Sequence, residues 1–109
     1  MSITINIYYT GINGNARKIA NEMESSGLSK KIRKEDGNLR YDYFYPTNDD
    51  ETVLLIDSWK DQKSIDFHHA SPMMVEIAKL RDKYYLHMYV ERYVSNDTNK
   101  NIDRKFIRE

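Results

Sequence analysis

Gly37-Asn38-Leu39-Arg40-Tyr41-Asp42-Tyr43-Phe44, the run from Val53 to Trp59, and Ile65-Asp66-Phe67-His68-His69-Ala70-Ser71 together decide how this chain folds. Leu39 to Tyr45 reads as an aromatic-rich strand, ended by Pro46 and the polar turn Thr47-Asn48-Asp49-Asp50. Val53 to Trp59 reads as its neighbour, and so short a loop makes the two antiparallel. Asp61 then starts a helix containing Ile65, His68 and His69. A strand pair therefore closes on a tryptophan and feeds a helix that presents an imidazole back towards it. A titratable ring beside aromatic walls suits proton chemistry on a flat organic molecule. A well-filled core with one polar residue carries the same pattern.

Working outward, Ile3, Ile5, Ile7 and Tyr9 alternate with Thr4, Asn6 and Tyr8, the period of two of a strand. Asn13-Gly14-Asn15 punctuates it and can cap a helix whose apolar stripe is Ala16, Ile19, Ala20 and Met23. Ser25-Ser26-Gly27 kinks or interrupts that helix, and Leu28 and Ile32 resume it until Glu35-Asp36-Gly37 stops it. After the His68 helix, Ser71-Pro72 can cap and open another, carrying Met74, Ile77, Ala78 and Arg81. Tyr85 to Val94 alternates again, with Leu86, Met88 and Val90 opposite Tyr85, His87, Tyr89 and Glu91. The order is β-α-β-β-α-β, an α+β, ferredoxin-like arrangement with helices on one face of an antiparallel sheet. The other face carries too much aromatic surface to be left in water, so a homodimer packed sheet to sheet is expected. One domain over residues 1–94 and a polar tail over 95–109 follow, the tail either hooking onto a partner subunit through Phe106 and Ile107 or lacking order.

Composition narrows the function classes. The chain has 109 residues, 17 basic and 17 acidic, so the formal charge is zero and offers no field for nucleic acid. With no cysteine, disulfides, thiolate catalysis and Cys-ligated metals drop out together. No basic-then-apolar leader opens the sequence, and no apolar run nears the ~20 residues of a membrane span. A cytoplasmic protein without membrane contact is the default expectation. Nine tyrosines are the compositional oddity, and they suit interfaces and ligand pockets alike.

His68 is the leading catalytic candidate, because imidazole exchanges protons near neutrality; the alternative is a histidine satisfied within the core. His69 points about 100° away on the same helix. Adjacent histidines lack the i, i+4 spacing of a helical metal site, so no metal is expected. Trp59, Tyr41, Tyr43 and Tyr45 can line an aromatic slot, or fill the core and dimer seam. Asp57 shares a strand face with Trp59 and can orient an imidazole, or equally be an exposed strand carboxylate. His87 reads as structural, on the face turned to the second copy. No phosphate loop, nucleophile elbow or dinucleotide fingerprint is present.

Glu35-Asp36-Gly37-Asn38-Leu39-Arg40-Tyr41-Asp42-Tyr43-Phe44, with Trp59-Lys60-Asp61-Gln62 and Phe67-His68-His69-Ala70-Ser71-Pro72, resembles the antibiotic biosynthesis monooxygenase (ABM) family. The resemblance covers residues 2 to about 94. It implies a dimeric α/β barrel of ferredoxin-like subunits, in agreement with the element order. It also implies a monooxygenase that oxidises a small quinol- or phenol-type substrate with O₂ and no cofactor. On that resemblance His68 shuttles the proton, Trp59 and Tyr43 hold the ring, and Phe67 and His69 complete the substrate-contacting set. Haem-degrading relatives carry an aromatic at His68, a haem-ligating histidine at Ala78 and an asparagine at Ile7; these departures point away from haem. A further type of relative isomerises a small phosphorylated metabolite and shares the Phe67-His68 pairing, so an isomerase stays open. So does a non-catalytic small-molecule-binding dimer.

Overall fold

In the computed structural model, which describes residues 1–97 and 102–108, the alternating segments form one antiparallel sheet. Its strands are β1 (Ile3–Thr10), β2 (Asn38–Phe44), β3 (Thr52–Trp59) and β4 (His87–Val94), in the order β2-β3-β1-β4. Helices α1 (Asn15–Ser25), α2 (Leu28–Arg33), α3 (Gln62–His69) and α4 (Met73–Lys83) complete the α+β, ferredoxin-like fold, and a 3₁₀ turn spans Arg104–Phe106. Register follows the hydrophobic pattern: Ile3, Ile5, Ile7 and Tyr9 lie opposite Trp59, Asp57, Leu55 and Val53 on the helix-covered face. Ala16, Ile19, Ala20 and Met23 pack onto that face from α1, Ile65 from α3, and Ile77 and Leu80 from α4. Fully burying each of the larger side chains stabilises the fold by about 1.5–3 kcal/mol.

The predicted break in the first helix is real. Gly27 takes a left-handed φ of 83°, which splits the segment into α1 and α2. Arg33, at the end of α2, reaches over edge strand β2: its Nε donates to the Tyr41 carbonyl at 2.8 Å while its two terminal nitrogens fork onto Glu24 at 3.0 and 2.8 Å. This covers a carbonyl that an open sheet edge would expose.

Within Asn13-Gly14-Asn15 it is Gly14 that occupies the N-cap of α1, and its N–H points at the Glu51 carboxylate, 3.3 Å away. Two local expectations are corrected. Pro72, not Ser71, is the N-cap of α4, and the Ser71 hydroxyl is buried without a partner. Strand β4 begins at His87 rather than Tyr85, because Tyr85 adopts a left-handed φ of 50° that a strand cannot continue.

Helices leave β4 uncovered. Met88, Val90 and Val94 on its helix side and Tyr89 and Tyr93 on the opposite side are all exposed. His87 opposes Thr10 on the face away from the helices, the same face as Tyr89. At the start of the tail, Ser95 N donates to the Ser2 carbonyl at 3.0 Å, and Ser2 N to the Ser95 hydroxyl at 2.9 Å. Phe106 and Ile107 are exposed. Among the described residues no helix is long and apolar enough to cross a membrane.

Candidate active site

Two short-range devices fix the imidazole of His68. Asp61 caps α3, accepting from Ser64 N at 2.9 Å and from its hydroxyl at 2.7 Å. With the first turn set, the three- and four-residue spacing of a helix puts Ser64, Ile65 and His68 on its buried face. The second device is the turn between α2 and β2. Gly37 sits there with φ +84°, so close to α3 that a Cβ would fall 2.1 Å from the Ser64 hydroxyl oxygen and 2.6 Å from its Cβ. Only glycine allows both the backbone angle and the approach. The same turn carries Glu35, whose Oε1 lies 2.7 Å from His68 Nδ1.

That contact is nearly closed from solvent, with side-chain exposures of 5% for His68 and 16% for Glu35. A carboxylate only accepts hydrogen bonds, so the facing Nδ1 carries a hydrogen, and in the neutral imidazole the lone pair is then on Nε2. The His68 ring also rests on Trp59, with centroids 4.8 Å apart and planes inclined by 32°. Trp59 itself is fully buried. The result is an imidazole oriented by a carboxylate and backed by an indole.

A second polar group lies along the same strand. Asp57, 4% exposed, faces the helices two residues before Trp59. Burial pushes its carboxyl up to about 7; the Trp59 indole N–H, turned towards it without a well-formed hydrogen bond, and Arg81 pull it down, and Glu35 adds to the rise. Nearby, Arg81 donates to the Tyr9 hydroxyl from Nε at 3.1 Å and Nη2 at 2.9 Å. Burial raises Tyr9 despite that guanidinium, and it raises Tyr41 and Tyr43 as well. These phenols therefore stay protonated at neutral pH and serve as hydrogen-bond groups, not bases. The Tyr41 and Tyr43 hydroxyls lie 3.4 Å apart.

The residues singled out in the sequence separate into two groups. His68 and Trp59 are brought into contact, and Asp57 and Tyr41 lie on the adjoining sheet face. Tyr43 is half-buried at a cavity of about 610 Å³ between α1, α2 and β2, which Phe44, Tyr45, Arg33, Arg40 and Asp42 also line. Phe67 points out of α3, 78% exposed, beside a smaller cavity of about 340 Å³ with Lys60 and Lys63. His69 is exposed with its ring centroid 5.7 Å from that of His68, and burial, then His68, lower its pKa. His68 lines neither cavity. The expectation that Asp57 orients the imidazole is corrected: Glu35 occupies Nδ1. Glu35 was visible as the acidic residue two places before Gly37, and the sign of its role is the glycine that turns the chain onto α3. Among the described residues no three His, Asp or Glu side chains gather to hold a metal ion.

Comparison with known proteins agrees with this architecture. A candidate monooxygenase of Bacillus subtilis strain 168, YcnE, is 33% identical over 46 residues, which is 42% of this chain and about half (48%) of YcnE. A candidate antibiotic biosynthesis monooxygenase from Deinococcus radiodurans superposes with a TM-score of 0.76 at 15% identity, covering 92% of this chain and 97% of that one. SnoaB, a cofactor-independent oxygenase from Streptomyces nogalater, superposes with a TM-score of 0.72 at 13% identity, covering 91% and 97%. Identities this low speak for the fold alone. Residues 2–80, however, match the family model for antibiotic biosynthesis monooxygenase, and the chain belongs to that family.

Proposed function

We propose that the protein is a cofactor-independent monooxygenase that oxidises a small phenol- or quinol-type molecule with O₂. The observation that carries this reading is the shielded His68, oriented through Nδ1 by Glu35 and stacked on Trp59. Membership of the family supports monooxygenase-type chemistry. In the reaction, His68 Nε2 takes the hydroxyl proton of the substrate. The electron-rich anion passes one electron to O₂, and the resulting radical pair joins through a new C–O bond. The proton held by His68 then moves to the peroxide. Loss of the ring C–H proton with cleavage of the O–O bond leaves a carbonyl and one water. For 1-naphthol the sum is naphthol plus O₂ giving 1,4-naphthoquinone plus water.

A dry, aromatic site favours this chemistry, since water would quench the anion and its peroxide. The 610 Å³ cavity lined by Tyr43 offers a place for the ring to dock, and the Tyr43 hydroxyl lies 3.4 Å from that of the buried Tyr41. Arg33 there is paired with Glu24 and Asp42, and Arg40 with Asp42. Paired cations suit a neutral ring better than the phosphorylated metabolite an isomerase would need. The protein acts as a homodimer in which the exposed aromatic and aliphatic side chains of β4 meet a second copy, with His87 at that seam.

The experiment is turnover of 1-naphthol with and without oxygen, using wild type and His68→Ala. Quinone formation should require O₂ and fall by a factor of about 10²–10⁴ in the variant, the usual contribution of a general base. Equal rates without O₂, or an unaffected His68→Ala, would defeat the proposal.

A further inference from the structure

The 610 Å³ cavity beside edge strand β2 has a polarity of its own. Its apolar lining is the rings of Tyr43, Phe44 and Tyr45 with the methyl group of Ala20, which suits a flat ring. The acidic oxygens that border it are all engaged. Arg33 forks onto both oxygens of Glu24, and Asp42 meets Arg33 through Oδ1 at 3.6 Å and Arg40 Nε through Oδ2 at 3.3 Å. The Asn21 carbonyl oxygen accepts from the Tyr45 hydroxyl at 3.3 Å. The donors, by contrast, are only partly used. Among the described residues Arg40 donates through Nε alone, and the Nδ2 hydrogens of Asn21 meet no acceptor. The Arg40 guanidinium lies over the Phe44 ring, 5.0 Å from its centre, so its open Nη hydrogens stand beside the aromatic wall.

An amide NH₂ and a guanidinium only donate, so a ring docked here gains most from an acceptor oxygen on its rim. Charge decides what kind of oxygen. Two guanidinium groups, Arg33 and Arg40, stand against two carboxylates, Glu24 and Asp42, so the lining is balanced and calls for no anion. We propose that the cavity selects flat rings bearing a neutral carbonyl oxygen, which accepts from Asn21 Nδ2 and from an Nη of Arg40. Asn21 and Arg40 are then specificity-determining residues with no part in the proton transfer at His68. The inference rests on the docking of the substrate ring in this cavity proposed above. It narrows the substrate class from phenols at large to hydroxyaryl ketones, in which the phenol and the carbonyl share one ring system.

The test is titration of the ¹⁵N-labelled protein with three ligands of one skeleton, none of which has a phenolic hydroxyl to oxidise: indane, 1-indanone and indane-5-carboxylate. Dissociation constants come from the amide shifts of residues 41–45. Wild type should bind 1-indanone about tenfold more tightly than indane, the gain of a hydrogen bond that includes a charged donor. The side-chain NH₂ signal of Asn21 should move with 1-indanone and stay still with indane. Asn21→Leu and Arg40→Leu should each weaken 1-indanone several-fold and leave indane unchanged, which also shows that the variants are folded. Asn21→Gln keeps the donor and should restore the preference. Indane-5-carboxylate should bind no better than 1-indanone. Equal affinity for 1-indanone and indane, a preference that survives in both leucine variants, tighter binding of the carboxylate, or no saturable shift along residues 41–45 would overturn the assignment. Because no oxygen is consumed, failure here is distinct from failure of 1-naphthol oxidation to require O₂.

Discussion

Replacing Asp57 with Asn should make the protein more stable, and more so as pH rises. The folded environment lifts the carboxyl from 3.8 to about 7, chiefly by burial. At about 1.36 kcal/mol per unit, a lift of roughly three units is worth about 4 kcal/mol, a ceiling because buried sites relax around a charge. Below the unfolded value both states hold the proton and the penalty is absent. As pH climbs towards 7 the unfolded chain ionises while the folded one resists, so wild-type stability falls; above 7 the full loss is in place. Asparagine cannot ionise, so the variant escapes this loss. Glu22, Glu24, Asp49 and Asp61, whose values are lowered, act in the opposite sense: their stabilisation is present above their unfolded values and lost as pH falls. They are common to both proteins and cancel in the difference. Urea unfolding at pH 4, 6 and 8, read by Trp59 fluorescence, should show the Asn-minus-wild-type gap growing from near zero towards about 4 kcal/mol. A gap that stays constant across that range refutes the reasoning.

Glu35→Gln leaves a group able to accept from Nδ1 but removes its charge; kcat for 1-naphthol should drop by about 10- to 100-fold with little change in KM, measured by oxygen uptake. Gly37→Ala places a methyl group against Ser64 and forces an L residue to φ +84°, so unfolding free energy should fall by about 2–4 kcal/mol in urea titration. Light scattering at micromolar concentration should give the mass of two 13.0 kDa chains, and the pair Tyr89→Lys with Tyr93→Lys should halve it. A wild-type monomer would remove the reason proposed for the exposed side chains of β4.

The strands were legible because one face of each is buried: alternation in Ile3, Ile5, Ile7 and Tyr9 is the direct trace of that burial. The placement of His68 beside Trp59 was equally legible, since both belong to one strand-to-helix connection and a helical period carries the histidine inward. Other contacts were not. Glu35 meets His68 across 33 residues of sequence, and only the packing of Gly37 on Ser64 brings them together. Asp57 shares a strand face with Trp59, a pattern that fits an orienting carboxylate and an exposed strand carboxylate equally; in space it is buried and faces the Tyr9, Tyr41 and Arg81 neighbourhood. The turn at Tyr85 escaped notice because tyrosine rarely adopts a positive φ, so local pattern favoured a longer strand. Exposure of Phe67 and His69 depends on the rotation of α3 about Ile65, which the Asp61 cap sets and periodicity alone leaves loose.

The most direct test of the proposed chemistry is the fate of labelled oxygen. With 1-naphthol under ¹⁸O₂, mass spectrometry of the quinone should find one oxygen atom from the gas, one O₂ consumed per naphthol, and both signals lost with His68→Ala. A product whose new oxygen comes from water, or labelling that persists undiminished without His68, would contradict the assignment of His68 as the base of an oxygenase.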